Sequence, residues 1–270
     1  MDRSDLAHMI AARLAGDRAR LAAAYANPVG TTTRHAIIDE MLPGEVASRI
    51  AAAFGPADAH FQRRDTFRER KRTCTALDSL DLILKEISFA LQQPAVLAEV
   101  AAITAMGNLE PDASLYAGGL SIMGRGDFLN PHVDNSHDAA RERYRRLNLL
   151  YYVTSDWHEE NGGNLELWDE KVKYPKTLPS LFNRLVLMET NRTSWHSVSP
   201  VTVDAQRCCV SSYYFSAVSP DMTDYFHITG FTACPEQPLR RVLSDVDAVA
   251  RNFAGGVLGL GRGKDKVYKS

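Results

Sequence analysis

Hydrophobic residues are spaced differently in the two halves of the chain, and the change lies near Pro111. Before it, apolar residues recur at the spacing of amphipathic helices; after it, they occur in short β-rich runs separated by Gly, Asn, Asp and Pro. The first pattern predicts helices over residues 5–26, from Pro43 onward, over 77–91 and over 94–103, with one strand at 32–38. The second predicts strands over residues 114–124, 147–154, 164–168, 184–189, 194–201 and 207–216.

This succession of elements predicts a mainly β protein with flanking helices, of the α+β class. Short strands at such intervals are typical of a sandwich or a jelly roll, of the kind that holds metal sites in cupins. The N-terminal helices are expected to buttress this core from outside. For the helix at 5–26, a homodimer contact is the alternative.

The chain shows no internal repeat and no clear linker, so we expect one structural domain in three parts. Residues 1–110 would form a helical and strand support region, and residues 111–217 the β core. Residues 218–270 would add a helix at 239–253 and a glycine-rich flexible tail at 255–270.

Composition and charge exclude several classes of partner. Lys and Arg number 31 against 33 Asp and Glu, and the formal charge of −2 indicates no nucleic acid or other polyanion. No apolar run approaches the length of a membrane span, and residues 1–5 lack the pattern of a signal peptide. The four cysteines show no CxxC spacing, which favours free thiols in a reducing cytoplasm. We therefore expect a cytoplasmic protein without membrane contact.

The main chemical signal is His132-Val133-Asp134. On an extended strand, residues i and i+2 point to the same face about 7 Å apart, so both side chains can reach one metal ion. His196 would complete a set of two histidines and one carboxylate. Such a facial triad leaves three sites of an octahedral iron open, as in non-haem Fe(II) oxygenases. A lone HxD pattern occurs by chance in many proteins, so the prediction depends on the residues around it.

Two further features support a ligand site. Arg207 follows His196 by eleven residues, where a neighbouring strand would place its guanidinium deep in the core. It would bind the far carboxylate of a 2-oxo diacid bidentately, or it is only an edge-strand charge. Strand alternation puts Asn148, Leu150 and Tyr152 on one face, which indicates a ligand pocket, although core packing explains the leucine equally well.

From about residue 115 to 215 the chain resembles the Fe(II)- and 2-oxoglutarate-dependent dioxygenases, in their prolyl 4-hydroxylase-like branch. The resemblance implies a double-stranded β-helix core, iron held by His132, Asp134 and His196, and 2-oxoglutarate anchored by Arg207. It also implies O2 as cosubstrate, with ascorbate as a candidate reductant, and we expect Asn148 and Tyr152 in the cosubstrate site. The motifs run in the family's order: Gly126-Asp127-Phe128-Leu129, His132-Val133-Asp134, 148–153, Asp156-Trp157, Gly162-Gly163, Asn183-Arg184-Leu185-Val186, Trp195-His196-Ser197-Val198 and Arg207.

Three positions depart from the family's pattern. Many members carry a tyrosine near Met123, and methionine cannot donate that hydrogen bond. Asn148 stands where a hydroxyl is frequent, and Cys209 where a serine often follows the anchoring arginine by two positions. A modified cosubstrate pocket is therefore expected. Asp134 favours hydroxylation over halogenation, because related iron halogenases have a small residue at that position.

Two basic segments, residues 63–72 and 141–146, have two interpretations each. They are solvated basic faces, or they form a flap and a lid that attract an anionic substrate. His137 and His158 are expected to be exposed loop histidines.

The sequence thus predicts an enzyme that hydroxylates an unactivated C–H bond and releases succinate and CO2. The expected substrate is an amino-acid or peptidyl side chain, a small metabolite or a sugar, and it is anionic if both basic segments line the mouth. One alternative is a non-catalytic β-helix binding protein with a vestigial metal site, which Met123 and Cys209 support. Another is a metal enzyme without 2-oxoglutarate, such as a cupin isomerase or a thiol dioxygenase. The oligomeric state stays open.

Overall fold

A computed structural model describes residues 1–116, 118–235 and 268. The α-helices of this part are α1 (Arg3–Gly16), α2 (Arg18–Ala26), α3 (Gly44–Ala57), α4 (Leu82–Ala90) and α5 (Pro94–Thr104). Its strands are β1 (His35–Ile38), β2 (Gln62–Asp65), β3 (Glu69–Cys74), β4 (Glu110–Pro111), β5 (Gly119–Met123), β6 (Phe128–Val133), β7 (Tyr144–Tyr152), β8 (Leu165–Trp168), β9 (Pro175–Leu178), β10 (Arg184–Glu189), β11 (His196–Val198), β12 (Arg207–Ser216) and β13 (Gly230–Phe231).

These strands form one antiparallel sheet that curls into a half-barrel. The strand order is β1-β10-β7-β12-β5-β3-β6-β11-β8-β9, with β2 beside β3, β4 beside β12 and β13 beside β6. Strands distant in sequence thereby become neighbours: β6 pairs with β11, and β12 pairs with both β5 and β7. The curl brings three separate parts of the chain to one concave face.

The helices cover the opposite, convex face of the sheet. Leu147, Leu149 and Tyr151 of β7 belong to the large apolar core, which also contains Leu84 and Ile87 of α4. Successive side chains of a strand point to opposite faces. The residues of β7 that alternate with these three therefore face into the curl, where the site lies.

The predicted helix at 5–26 is two helices, and the break lies at Asp17. This residue ends α1 and precedes the first residue of α2. Its carboxylate lies 3.0 Å from Arg13 Nη1 and 2.7 Å from Arg20 Nη2, so it ties the two helices together. Asp17 makes no side-chain cap hydrogen bond, but Gly16 and Asp17 are both weak helix formers, and this pair accounts for the break.

The predicted fold class is confirmed, and each of the six predicted β-rich runs contains or overlaps a strand. The hairpin β2–β3 was not predicted, because its residues are mostly charged. The helix predicted at 239–253 and nearly all of the tail predicted at 255–270 lie outside the described residues. Within the described part, no single helix is long and apolar enough to span a membrane; the bent pair α4 and α5, 43° apart, meets the requirement by length and composition only.

Candidate metal and cosubstrate site

The HxD motif lies where β6 ends. His132 is the last residue but one of β6, and Asp134 follows the strand directly. His196 opens β11 and pairs with His132 across the two strands, with the ring centroids 4.1 Å apart. One ligand atom each from His132, Asp134 and His196 lies within 4.8 Å of the others. The structure thus brings together the three residues that the sequence predicts as metal ligands.

Main-chain carbonyl groups orient both imidazoles. Nδ1–H of His132 donates to the carbonyl oxygen of Asn130 at 3.0 Å, and Nδ1–H of His196 to that of Ser194 at 2.9 Å. Because a carbonyl oxygen only accepts, Nδ1 carries a proton in both rings. Nε2 is then the nitrogen of each ring that would bind a metal, and it lies 3.6 Å (His132) and 3.8 Å (His196) from an oxygen of Asp134.

The charge state of the triad suits a divalent cation. Burial raises the pKa of Asp134, but the favourable interactions around it, of which the positive charge of Arg145 is the largest, together outweigh burial, so the pKa lies well below its usual range. Burial, reinforced by the neighbouring His132, lowers the pKa of His196 to about 4. At neutral pH Asp134 is therefore a carboxylate and His196 is neutral, the forms in which both bind metals.

Arg145 is a site residue that the sequence reasoning missed. It is almost fully buried, and its Nη1 lies 3.2 Å from Oδ2 of Asp134. Its guanidinium carbon lies 4.1 Å from the centroid of the Tyr213 ring. We expected a solvated basic face or a lid at 141–146, and for Arg145 both interpretations are wrong.

A break in the register between β7 and β12 explains why the expectation for Arg145 is wrong. Tyr214 of β12 pairs with Leu147, but the next residue, Phe215, pairs with Arg145, so Arg146 is an extra residue in β7. Such a β-bulge reverses the alternation beyond it. It turns Arg145 to the concave face that Asn148 shares, and no local sequence signal marks it.

The predicted cosubstrate residues form a second polar group on the same face. Arg207 is buried, and its guanidinium carbon lies 5.0 Å from the centroid of the Tyr152 ring. Its Nε and Nη1 have no hydrogen-bond partner among the described residues. Asn148 donates from Nδ2 to the Tyr213 hydroxyl at 3.2 Å, and burial raises the pKa of Tyr152, so that its hydroxyl stays protonated.

One cavity joins the metal triad to this group. Its empty volume, part of it open to solvent, is about 810 Å³, and its walls include the triad, Asn148, Tyr152 and Arg207. Met123 and Cys209 line it as well, and Met123 pairs directly with Arg207. Burial raises the pKa of the Cys209 thiol. All three departures from the family's pattern, Met123, Asn148 and Cys209, therefore lie in the wall where a cosubstrate would bind.

The second of two paired glycines, Gly163, makes room for Arg207, and the first, Gly162, lies against the backbone of Pro200. Gly162 and Gly163 have φ values of +71° and +65°, which residues other than glycine rarely adopt. A Cβ atom on Gly163 would lie 2.8 Å from Cδ of Arg207. Both glycines lie just before β8, which begins at Leu165.

The basic segment 63–72 lies mostly in the hairpin β2–β3, and many of its cations have acidic partners. Glu69, Lys71 and Thr73 are the hairpin residues that line the cavity. Among the ion pairs of the hairpin, Arg63 contacts Asp127, Arg70 contacts Asp65 and Arg72 contacts Asp58. The hairpin therefore does not form a strongly positive flap over the mouth of the cavity.

The two loop histidines differ from each other. His158 is exposed, as expected. His137 is buried and its ring centroid lies 4.3 Å from that of Tyr144, so the expectation of an exposed side chain is wrong for His137. The tight loop after Asp134 pairs back on the start of β7, which encloses this ring.

The residues present fit an Fe(II) ion and a 2-oxo diacid. Two imidazole nitrogens and one carboxylate converge, which is the donor set of the facial triad. Buried guanidinium donors cost free energy when they lack a partner. Arg207 lines the cavity with donors that have no partner among the described residues, and a guanidinium can bind a carboxylate bidentately.

Residues 118–215 match the model of the 2OG-Fe(II) oxygenase superfamily. The matched range runs from just before β5 almost to the end of β12, and includes all six predicted site residues. It also contains Arg145.

Solved structures with the same fold include two prolyl hydroxylases. One is from Trichoplax adhaerens, in complex with a peptide fragment of the hypoxia inducible factor oxygen degradation domain: 19% identity, 75% of this chain and 92% of that chain covered, TM-score 0.54. The Pseudomonas putida prolyl-4-hydroxylase has 16% identity, 73% and 98% coverage and a TM-score of 0.53. The third is the epimerase SnoN from nogalamycin biosynthesis, with 15% identity, 76% of this chain and 85% of that chain covered, and a TM-score of 0.52. At these identities the likeness shows the double-stranded β-helix fold alone.

Proposed function

Because residues 118–215 belong to the 2OG-Fe(II) oxygenase superfamily and the protein is a 2-oxoglutarate-dependent dioxygenase, we propose that it hydroxylates an unactivated C–H bond of its substrate. The observation that carries the proposal is the convergence of the triad and the buried Arg207 on one cavity. The candidate substrates are an amino-acid or peptidyl side chain, a small metabolite and a sugar.

Each site residue has a role that follows from its position. His132 and His196 would hold Fe(II) through Nε2, and Asp134 through a carboxylate oxygen. Arg207 would bind the far carboxylate of 2-oxoglutarate, with Asn148 and Tyr152 on the adjoining wall. When bound, Fe(II), 2-oxoglutarate and O2 supply an oxidative decarboxylation that yields succinate and CO2 and places one oxygen atom in the substrate's C–H bond.

The chain itself positions these groups. The carbonyl groups of Asn130 and Ser194 fix the ring orientation of the two histidines, and Arg145 fixes the carboxylate of Asp134. Such outer partners orient ligands and tune their basicity. A carboxylate at position 134 occupies the metal site that a halide would need, which supports hydroxylation over halogenation.

The names of the structural neighbours bear on the substrate in opposite directions. The Trichoplax enzyme is in complex with a peptide, which supports a peptidyl side chain. SnoN is an epimerase of a biosynthetic pathway, which supports a small metabolite. The intact triad and the family match speak against the non-catalytic alternative.

The test is succinate formation from 2-oxoglutarate under air, with Fe(II) and ascorbate added. We expect the wild-type protein to release succinate and the variant His132→Ala to release none. His158→Ala, which changes an exposed histidine outside the cavity, is the matched control and should keep the wild-type rate. Undiminished succinate release by His132→Ala would show that the metal assignment is wrong.

A further inference from the structure

One wall of the cavity carries a pair of opposite charges that the proposed chemistry does not use. Glu69, Lys71 and Thr73 alternate along β3 and all face the cavity. Nζ of Lys71 lies 3.0 Å from Oε2 of Glu69. Arg64 adds a contact, with Nη1 3.4 Å from Oε1 of Glu69. The cavity therefore contains an ion pair besides the metal triad and Arg207.

This pair is largely withdrawn from water. The side chains of Glu69 and Lys71 are only 11% and 18% exposed. Charges that are shielded from water interact more strongly with an opposite charge than exposed ones do. A ligand with an ammonium group next to Glu69 and a carboxylate next to Lys71 would match the pair charge for charge and add to the contacts that the two side chains already make.

An apolar surface connects the charged pair to the triad. Glu69 pairs across strands with Leu129, and Leu129 with Val198 of β11. Beside them, the ring of Phe231 stacks on His132, with centroids 5.1 Å apart. All three apolar side chains line the cavity. A ligand whose charged end lies at Glu69 and Lys71 would rest its aliphatic part on this surface, beside the metal ligands.

The same wall disfavours an extended peptide and a strongly anionic ligand. Both edges of β3 are hydrogen-bonded, one to β2 and the other to β5 and β6, so no peptide can pair with it as an added strand. The flanking Arg70 and Arg72 are bound to Asp65 and Asp58. The charge that β3 presents to the cavity is therefore balanced.

We propose that the substrate is a free amino acid with an aliphatic side chain, whose ammonium group binds Glu69 and whose carboxylate binds Lys71. This inference rests on the proposed function, because the aliphatic side chain is the part that lies beside the iron site. Leu129, Val198 and Phe231 hold that side chain, and Arg207 remains available for 2-oxoglutarate.

The test uses anaerobic full-length protein loaded with Fe(II) and 2-oxoglutarate. L-Leucine, L-isoleucine, L-valine and L-proline are added one at a time, and their binding is followed as a change in the visible charge-transfer band and by calorimetry. We expect at least one of them to bind. Its N-acetyl and carboxamide derivatives, which each lack one charge, should bind at least about 30-fold more weakly, because each brings an uncharged group against one charge of the buried pair.

Substitutions of Glu69 and Lys71 test whether these two side chains bind the amino acid. Glu69→Gln and Lys71→Met should each weaken binding of the free amino acid at least about 30-fold and leave the affinity for 2-oxoglutarate unchanged. An unchanged affinity for 2-oxoglutarate also shows that the variant is folded. Arg70→Gln, on the other face of the same strand, is the matched control and should bind the amino acid as the wild type does.

The outcomes separate this inference from the proposed function. If no band forms with Fe(II) and 2-oxoglutarate, the proposed function fails. If the band forms but none of the four amino acids perturbs it, or if the blocked derivatives bind equally well, the substrate class is wrong. If Lys71→Met loses affinity for 2-oxoglutarate instead, Lys71 serves the cosubstrate and the inference is overturned.

Discussion

Replacing Arg145 by Met should strongly destabilise the metal-free protein. Nη1 of Arg145 lies 3.2 Å from Oδ2 of Asp134, and both groups are shielded from water. At an effective dielectric constant of about 20, the attraction at this distance is about 5 kcal/mol. Removing one partner of a buried pair leaves an uncompensated charge, which typically lowers the free energy of unfolding by about 3–5 kcal/mol. Methionine keeps most of the packing against Tyr213, so the loss would report the charge.

Urea unfolding of the metal-free protein at neutral pH measures this loss of stability, and the measurement is repeated with Mn(II). A divalent cation at the triad supplies the missing positive charge, so saturating Mn(II) should reduce the difference in the free energy of unfolding between the wild type and the variant. Arg145→Lys, which keeps the charge, should lose less stability. The matched control is Arg192→Met, which breaks an exposed pair with Asp221 and should change stability by no more than about 1 kcal/mol. A loss below about 1 kcal/mol for Arg145→Met, or a gap that Mn(II) leaves unchanged, would refute the reasoning.

Three further predictions concern the anchor, the turn and a buried histidine. Arg207→Met should weaken 2-oxoglutarate binding to the Fe(II)-loaded protein at least about 30-fold, with Arg207→Lys intermediate; equal dissociation constants would contradict the anchoring role. Gly162→Ala should lower the free energy of unfolding by more than about 1 kcal/mol, because its Cβ would lie 2.0 Å from the carbonyl oxygen of Pro200 at a φ of +71°. Gly55→Ala, in α3 with open space around it, should be neutral or stabilising, and similar losses for both would argue against a steric cause. Burial lowers the pKa of His35 below 6.5. The unfolded chain then binds more protons than the folded one as pH falls from about 6.5 towards the lowered pKa, so stability drops over that window. His35→Gln should flatten this dependence in unfolding curves, and an unchanged slope would show that His35 is not its source.

Strand positions were predictable where one face of a strand is apolar and the other lines the site. In β7, Leu147, Leu149 and Tyr151 enter the core while Asn148 and Tyr152 face the cavity, and this alternation is visible in the sequence. The hairpin β2–β3 lacks such a pattern, because ion pairs rather than core burial hold its side chains. Charged alternation carries no sign of strand structure, so the hairpin and its cavity face were missed.

The metal ligands were predictable because their spacing is local or lies within a known order of motifs. His132 and Asp134 are two residues apart, and the position of His196 followed from the resemblance. Arg145 was not predictable, since its direction depends on the bulge at Arg146, which exists only in the pairing of β7 with β12. The ion pair of Glu69 and Lys71 likewise becomes part of the cavity only through the pairing of β3 with β5 and β6.

The most direct test of the iron and 2-oxoglutarate site is an anaerobic titration of metal-free protein with Fe(II) and then 2-oxoglutarate, followed in the visible spectrum. We expect a weak charge-transfer band that needs both additions, that is absent in His132→Ala, and that requires far more 2-oxoglutarate in Arg207→Met. Iron binding without this band would contradict the 2-oxoglutarate site. Failure of the wild-type protein to bind iron would contradict the metal site formed by His132, Asp134 and His196.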